Sequence, residues 1–508
     1  MSLSPRSSTV DGIIRRSGHT FRDRVALTFA DREWTYAALD AAVSRAAAHL
    51  LGLGLATGDR VAAFGKNSDA YLIGFLACAR AGLVHVPLNY NLTGAELSYL
   101  IGQSGSRAIL VDPALADRLD GIDAEVAAGL EQRIILRDTE DSLLTISRTG
   151  DVPVVEVDVA DTDLAQFLYT SGTTSRPKAA MMSHKALVHE YLSCVVGLDL
   201  TAEDNPLHVM PLYHSAQMHV FLMPWLAVGA TNTLLEVPDA GEVLRRIEQD
   251  GHRAFFAAPT LWVAMANHAD FATRDLGGLK KAYYGASIMP GPILSRLQAK
   301  APDLGFYNCF GQSEVAPLCT VLRPEEHADR PDSAGRPVLF VEARVVDAVG
   351  DDVPVGESGE IIYRSPHLCD GYWNDEAATA EAFSGGWFHS GDLVRMDEAG
   401  YVFVVDRIKD VINTGGVLVA SREIEDALYT HPAVAEVAVV GMPDDKWVEA
   451  VSAFVVRKGE VTEDELITHL RDHLAGFKLP KRVTFVDELP RNASGKILKR
   501  ELRDAQAT

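Results

Sequence analysis

The residues best suited to chemistry stand in the run Tyr169-Thr-Ser-Gly-Thr-Thr-Ser-Arg-Pro-Lys178, directly after the apolar stretch Ala165-Gln-Phe-Leu168. Ser171, Thr173 and Thr174 offer hydroxyl donors, Gly172 lets backbone N–H groups approach an anion, and Lys178 adds a positive charge. A turn of this kind after a strand suits the oxygens of a phosphate. It does not fit GxxxxGK[ST], which disfavours a P-loop kinase. The five cysteines, Cys78, Cys194, Cys309, Cys319 and Cys369, show no CxxC spacing, so neither a disulfide framework nor a zinc site is expected.

The loop closely resembles the signature YTSGTTGxPKG of the adenylate-forming superfamily, which contains acyl-CoA synthetases, non-ribosomal adenylation domains and luciferases. Ser175 and Ala179 stand where that family usually has glycine, which implies a slightly stiffer loop. By this resemblance Thr170, Ser171, Gly172, Thr173, Thr174 and Lys178 meet the nucleotide. Further motifs follow in the family's order along nearly the whole chain. Pro211-Leu-Tyr-His214-Ser resembles the motif whose histidine lines the acyl pocket and gates access to the carboxylate. Tyr284-Gly285-Ala286-Ser287 resembles the segment flanking adenine and acyl group, where small residues let the backbone approach a flat ligand. Tyr283, Tyr284 and Gly285 thereby join His214 as acyl-pocket candidates.

Phe310-Gly311-Gln-Ser313-Glu314 resembles the YGxTE motif. Phe310 takes the adenine-stacking position, Asn308, Gly311 and Ser313 are implied nucleotide contacts, and Glu314 is the implied Mg²⁺ ligand. A carboxylate there is chemically apt, because the metal bridges phosphate oxygens and neutralises charge as pyrophosphate leaves. Asp392 matches the residue that accepts from the ribose hydroxyls, Arg407 a second nucleotide contact, and Lys409 the hinge before the C-terminal domain. Gly415 and Gly416 match the lining of the tunnel for the pantetheine arm of coenzyme A. Val417-Leu418 stand where polar residues are common, and Trp447-Val448-Glu449 replaces the frequent Trp-Gly-Glu. Lys496, in Pro490-Arg-Asn-Ala-Ser-Gly-Lys, matches the mobile ammonium that stabilises charge growing on the α-phosphate oxygens.

The resemblance implies ATP, Mg²⁺ and coenzyme A as cofactors and a two-step reaction. An acid displaces pyrophosphate from ATP to give acyl-AMP, and the thiol of CoA then displaces AMP. The texture looks most like bacterial medium- to long-chain fatty acyl-CoA synthetases. The segments 211 to 230 and 283 to 289 are largely apolar, with His214, His219, Tyr283 and Tyr284 as polar-tipped members, which suggests a hydrophobic acid. Two other readings stand beside this one. The first is an acyl-AMP ligase loading a carrier protein, against which speaks the lack of a long insertion between body subdomains. The second is a catalytically silent nucleotide- or acyl-binding protein on the same fold. Family habit also implies a homodimer.

These residues need elements to place them. Tyr36, Leu39, Val43, Ala46 and Leu50 recur at helical spacing after Thr35, which predicts a helix. Strand-like runs at 60 to 64, 83 to 88, 108 to 112, 165 to 170, 231 to 237 and 253 to 259 alternate with helical stretches. The expected fold class is α/β: a large N-terminal body over 1 to 408, β-rich from about 338 to 408, then a small, mobile α+β domain over 409 to 508. That domain predicts a helix near 421 to 430, strands at 436 to 441 and 452 to 457, and a helix opened by a Thr462/Glu465 capping box.

Composition sets the outer bounds. A chain of 508 residues, 47% hydrophobic and 23% charged, is ordinary for a soluble folded protein of several domains. The net charge of −23 argues against nucleic-acid binding. Positive charge gathers only in the tail from Gly476 onward, with eight Lys or Arg against four Asp or Glu. No secretory signal and no run of 18 apolar residues is present, and a cytoplasmic location is expected. Val220 to Ala230 reads as core or as the wall of an apolar pocket.

Overall fold

The computed structural model describes residues 8–170, 176–287, 289–444, 446–491 and 497–504. The chain divides into two compact units, the first taking in 1–170, 177–342 and 364–383, the second 343–363 and 384–508.

The first unit is built on two mixed sheets. In the six-stranded sheet the order is Gln132–Ile135, Ala108–Val111, Arg60–Phe64, Val84–Leu88, Leu164–Thr170 and Lys178–Ser183. All pairings are parallel except the last, where Lys178–Ser183 turns back on Leu164–Thr170. Its central strands are mostly apolar, as expected where helices cover both faces, with His85 a buried polar exception. The helix Asp69–Ala81 is buried at every position. The predicted helix is Tyr36–Gly52, with Thr35 Oγ1 accepting from Ala38 N at 3.1 Å.

The nine-stranded sheet runs Arg336–Pro337, Leu318–Leu322, Gly305–Gly311, Lys281–Gly285, Ala254–Ala257, Pro206–His208, Asn232–Leu234, Val25–Phe29 and Arg32–Thr35. From Gly305–Gly311 to Val25–Phe29 every pairing is parallel. Only Asn232–Leu234 of the apolar run expected over 231 to 237 is strand; the chain bends away toward Pro238 and the helix Ala240–Asp250. The segment Val220 to Ala230 is core: Phe221 stacks on Phe256 with ring centroids 4.2 Å apart, and Trp225 is buried beside them. Here the chain forms a π-helical turn, Ala216–Leu222, continued by the α-helix Met223–Val228.

The second unit holds a four-stranded sheet, Glu342–Val346, Ser358–Arg364, Phe388–Met396 and Val402–Arg407, and a five-stranded one. In the latter the long hairpin Val434–Asp444 and Val448–Arg457 is flanked by the short hairpin Ile412–Thr414 and Val417–Val419, and Arg482–Phe485 joins in parallel. The helices Ser421–Tyr429 and Glu463–Arg471 cover it. The capping box closes as expected, with Glu465 N on Thr462 Oγ1 at 3.3 Å and Thr462 N on Glu465 Oε2 at 2.8 Å.

One stretch differs from the strands and turns expected after 338. Residues 364–383 belong to the first unit and carry the helix Glu376–Ala382. The local reason is an alanine- and glutamate-rich run capped by Asp375, whose Oδ1 accepts from Ala378 N at 3.0 Å. Otherwise the α/β class, with a large N-terminal body and a separate small C-terminal α+β region, is the observed one.

Candidate active site

In the first unit the site residues collect at the carboxyl ends of parallel strands, where open α/β sheets bind their ligands. Pro206–His208 leads into Pro211 to Ser215, Lys281–Gly285 into Ala286 and Ser287, and Gly305–Gly311 into Glu314. Close packing explains the two glycines. A Cβ at Gly285 would collide with the carbonyl of Cys309 on the neighbouring strand, and one at Gly311 with that of Pro317. Ala286, exposed and at φ 65°, turns the chain sharply after the strand.

Thr170 and Lys178 are register partners at the end of their antiparallel pair. Ser171, Gly172, Thr173, Thr174 and Ser175 lie outside the described residues, as does Lys496. Ala179, by contrast, is buried within the strand Lys178–Ser183 and opposes Tyr169, so its methyl belongs to the sheet. The Lys178 ammonium lies over the ring of Tyr372, 5.2 Å from its centroid. The Tyr372 hydroxyl in turn donates to Glu314 Oε1 at 3.0 Å. Glu314 is half-buried in a short turn, and among the described residues its Oε2 takes no hydrogen bond. One anchored and one open carboxylate oxygen fit a Mg²⁺ ion, which takes one or two protein carboxylates and fills its octahedron with phosphate oxygens and water. No group of three metal-ligating side chains occurs among the described residues.

His214 is half-buried; its Nδ1 accepts from Ala216 N at 3.2 Å, and burial lowers its pKa below the usual histidine value. The neighbouring Ser215 lies 3.3 Å from Ser313, hydroxyl to hydroxyl, which ties the histidine segment to the Glu314 turn. Asn308 donates to the carbonyl of Ser333 at 3.0 Å, while the Phe310 ring is half-buried. Tyr283 and Tyr284 take opposite faces of their strand, as successive strand residues must. Tyr283 is wholly buried among Phe221, Trp225 and Tyr307, and its hydroxyl donates to the Leu198 carbonyl at 2.9 Å. Tyr284 meets His327 Nε2 at 3.0 Å.

His219, which the sequence suggests as a polar-tipped member of the acyl pocket, is wholly buried in a polar network whose other members escaped sequence reasoning. His219 Nδ1 accepts from Tyr191 at 2.8 Å, its Nε2 meets Gln166 Oε1 at 2.6 Å, and Gln166 Nε2 reaches His85 at 2.9 Å. Burial depresses the pKa of His85 and of His219 to about 3. A second knot joins Glu190, Ser193 and His367, all fully buried. His367 Nδ1 lies 3.0 Å from Glu190 Oε2, and its Nε2 lies 2.9 Å from Ser193 Oγ. Glu190 Oε1 also accepts from Leu318 N at 2.8 Å, just after the Glu314 turn. The geometry mimics a nucleophilic triad but no substrate reaches it, so its work is bracing.

In the second unit Asp392 and Arg407 are register partners joined by an ion pair of 2.8 Å. Arg407 Nη1 also donates to the Ser390 carbonyl at 3.0 Å, so one guanidinium ties Asp392 to the backbone of its own strand. Lys409 sits in the short turn Ile408–Asp410 that follows. Gly415 and Gly416, at φ 64° and 86°, form the tip of the short hairpin, where Gly415 N donates to the Trp447 carbonyl at 2.5 Å. Val448, 61% exposed, sits at φ 68°, a region that a β-branched residue enters only under strain.

No helix among the described residues is long and apolar enough to cross a membrane, and all five cysteines are buried and outside any disulfide.

Comparison with known proteins agrees with this geometry. The family model of AMP-binding enzymes matches residues 14–373, and that of the AMP-binding enzyme C-terminal domain matches 423–496. A feruloyl-CoA synthase from Amycolatopsis is 38% identical over 481 residues, 92% of this chain and 93% of its own length. The long-chain-fatty-acid–CoA ligase FadD13 of Mycobacterium tuberculosis is 33% identical over 478 residues, 93% of each chain. Among solved structures, ATP-bound MatB from Rhodopseudomonas palustris superposes with a TM-score of 0.89 at 31% identity, over 98% of this chain and 99% of the other.

Proposed function

The chain belongs to the AMP-binding enzyme family, as an enzyme of the acyl-CoA synthetase type, and from that premise we propose that it ligates an aromatic carboxylic acid to coenzyme A. The observation that carries the substrate class is the likeness to a feruloyl-CoA synthase at 38% identity over nearly the full length, against 33% to a long-chain fatty acid ligase. The expectation of a fatty acid thus becomes the alternative that the assay must separate.

In the first step a carboxylate oxygen attacks the α-phosphorus of ATP, the P–O bond to pyrophosphate breaks, and acyl-AMP forms. Lys178 and the hydroxyl-rich segment before it meet the phosphates, and Glu314 would hold Mg²⁺. The metal, when bound, supplies charge neutralisation for the departing pyrophosphate. Phe310 stacks on adenine, with Asn308, Gly285, Ala286, Ser287, Gly311 and Ser313 around the nucleotide, and His214 borders the carboxylate. Asp392, pre-aimed by Arg407, accepts from the ribose hydroxyls. Lys496 stabilises the charge growing at phosphorus. In the second step the CoA thiolate attacks the acyl carbonyl and the C–O bond to AMP breaks. Gly415 and Gly416 line the approach of the pantetheine arm, and the domain from Lys409 onward swivels between the steps.

Two assays test this reading. Pyrophosphate release with CoA present is measured over ferulate and related aryl acids against medium- and long-chain fatty acids, with a carrier-protein thiol as competing acceptor. A fatty acid or the carrier outpacing the aryl acid with CoA overturns the proposal. Lys496→Ala is expected to cripple acyl-AMP formation and to spare conversion of supplied acyl-AMP to the thioester; equal loss of both rejects its assigned role.

A further inference from the structure

Tyr372 has no role in the reading above, yet it touches both charged groups at the phosphate end of the site. Its hydroxyl donates to Glu314 Oε1 at 3.0 Å, and Lys178 Nζ rests 5.2 Å from its ring centroid. Its own position is fixed by the backbone. Tyr372 bridges to Ala180, its N–H donates to Thr379 Oγ1 at 2.9 Å, and the adjoining Gly371 carbonyl accepts from Met181 N at 2.9 Å. Cys369 N donates to the Glu314 carbonyl at 2.8 Å, so the segment docks on the Glu314 turn without help from the phenol.

A lysine and a glutamate that serve one polyphosphate face a hazard before the ligand arrives: opposite charges in a partly buried site tend to pair with each other. In this structure Lys178 and Glu314 are not ion-paired, and Tyr372 meets each of them instead. We propose that Tyr372 is a positioning residue for adenylation, its hydroxyl anchoring Glu314 with Oε2 open to Mg²⁺ and its ring holding the Lys178 ammonium apart from that carboxylate. The inference rests on Glu314 being the metal ligand. Partners that orient a ligating carboxylate commonly change metal affinity by 10- to 100-fold when removed.

The test compares Tyr372→Phe and Glu314→Gln with the wild type. Mn²⁺ binding is titrated by electron paramagnetic resonance in the presence of a non-hydrolysable ATP analogue, and the Mg²⁺ dependence of pyrophosphate–ATP exchange is measured alongside. Phenylalanine keeps the ring beneath Lys178 and removes only the donor. Tyr372→Phe is expected to weaken Mn²⁺ about tenfold and to raise half-saturating Mg²⁺ to match. The acid KM and the conversion of supplied acyl-AMP should hold, and Tyr372→His, which restores a donor, should recover part of the metal affinity. If Glu314→Gln abolishes metal binding while Tyr372→Phe binds Mn²⁺ like wild type, the role of Tyr372 is refuted and the metal assignment survives. If Glu314→Gln binds Mn²⁺ like wild type, the metal assignment and the inference fall together. Equal loss of affinity in the Phe and His variants, with a lowered melting temperature in both, would assign the residue to packing alone.

Discussion

Val448→Gly is expected to stabilise the hairpin that carries it. Val448 opens the strand Val448–Arg457 at φ 68°, where it pairs with Asp444 and Thr414. A β-branched side chain in the left-handed region is strained by about 2 kcal/mol. Glycine removes that strain and returns about 0.7 kcal/mol through the greater freedom of its unfolded chain. The side chain is 61% exposed, so its loss forfeits only a few tenths of a kcal/mol of burial. The balance favours glycine by about 1 kcal/mol, which corresponds to roughly fivefold slower opening of the local structure by exchange. Hydrogen exchange read by mass spectrometry on peptides spanning Val434 to Arg457 measures it directly, whatever the first unit does. Val448→Ala, which keeps a Cβ but loses the branch, should fall between. Equal or faster exchange in Val448→Gly, or greater protection in the alanine variant, would refute the strain argument.

The remaining expectations concern the first unit. Burial holds His85 and His219 at about pKa 3 and His184 and His208 at about 4, against about 6.5 in an unfolded chain. These groups stay neutral in the fold, so their contribution is complete above pH 6.5 and is lost as pH falls toward the folded values; at pH 5 each costs about 2 kcal/mol. A denaturant midpoint for this unit that is flat between pH 7 and 5 would contradict the burial of the four rings. Glu190→Ala leaves Leu318 N without its partner and empties the space beside His367 Nδ1, and should cost about 2–3 kcal/mol, read as a lower guanidinium midpoint; a loss under about 1 kcal/mol would show the knot to be idle.

Much of this was legible from local pattern. The strand Arg60–Phe64 and the Thr462/Glu465 box were readable because each signal lies within a few neighbouring residues. Tyr283 and Tyr284 read as one pocket wall, although strand alternation sends one ring into the aromatic cluster and the other to His327. Tyr372 left no trace in the sequence because its partner Glu314 stands 58 residues away, and Lys178 comes from another sheet. Gln166 and His219 are 53 residues apart, and Glu190 lies 128 residues from Leu318. Such pairings are set by topology, which no short window contains. Val448 is the reverse case: its departure from glycine was visible in the letters, and its positive φ was not.

The path of the chain between the two units has one more implication. Tyr363 and Phe388 are paired neighbours across an antiparallel ladder, and everything between them is an insertion into a β-hairpin, most of it (364–383) lodged in the first unit. No single cleavage can therefore liberate the second unit, and a fragment begun at Ala343 would drag His367 and Cys369, normally sealed from water, into solvent. Grafting a short turn in place of the insertion is the route to that unit on its own, because the ends to be joined already lie side by side.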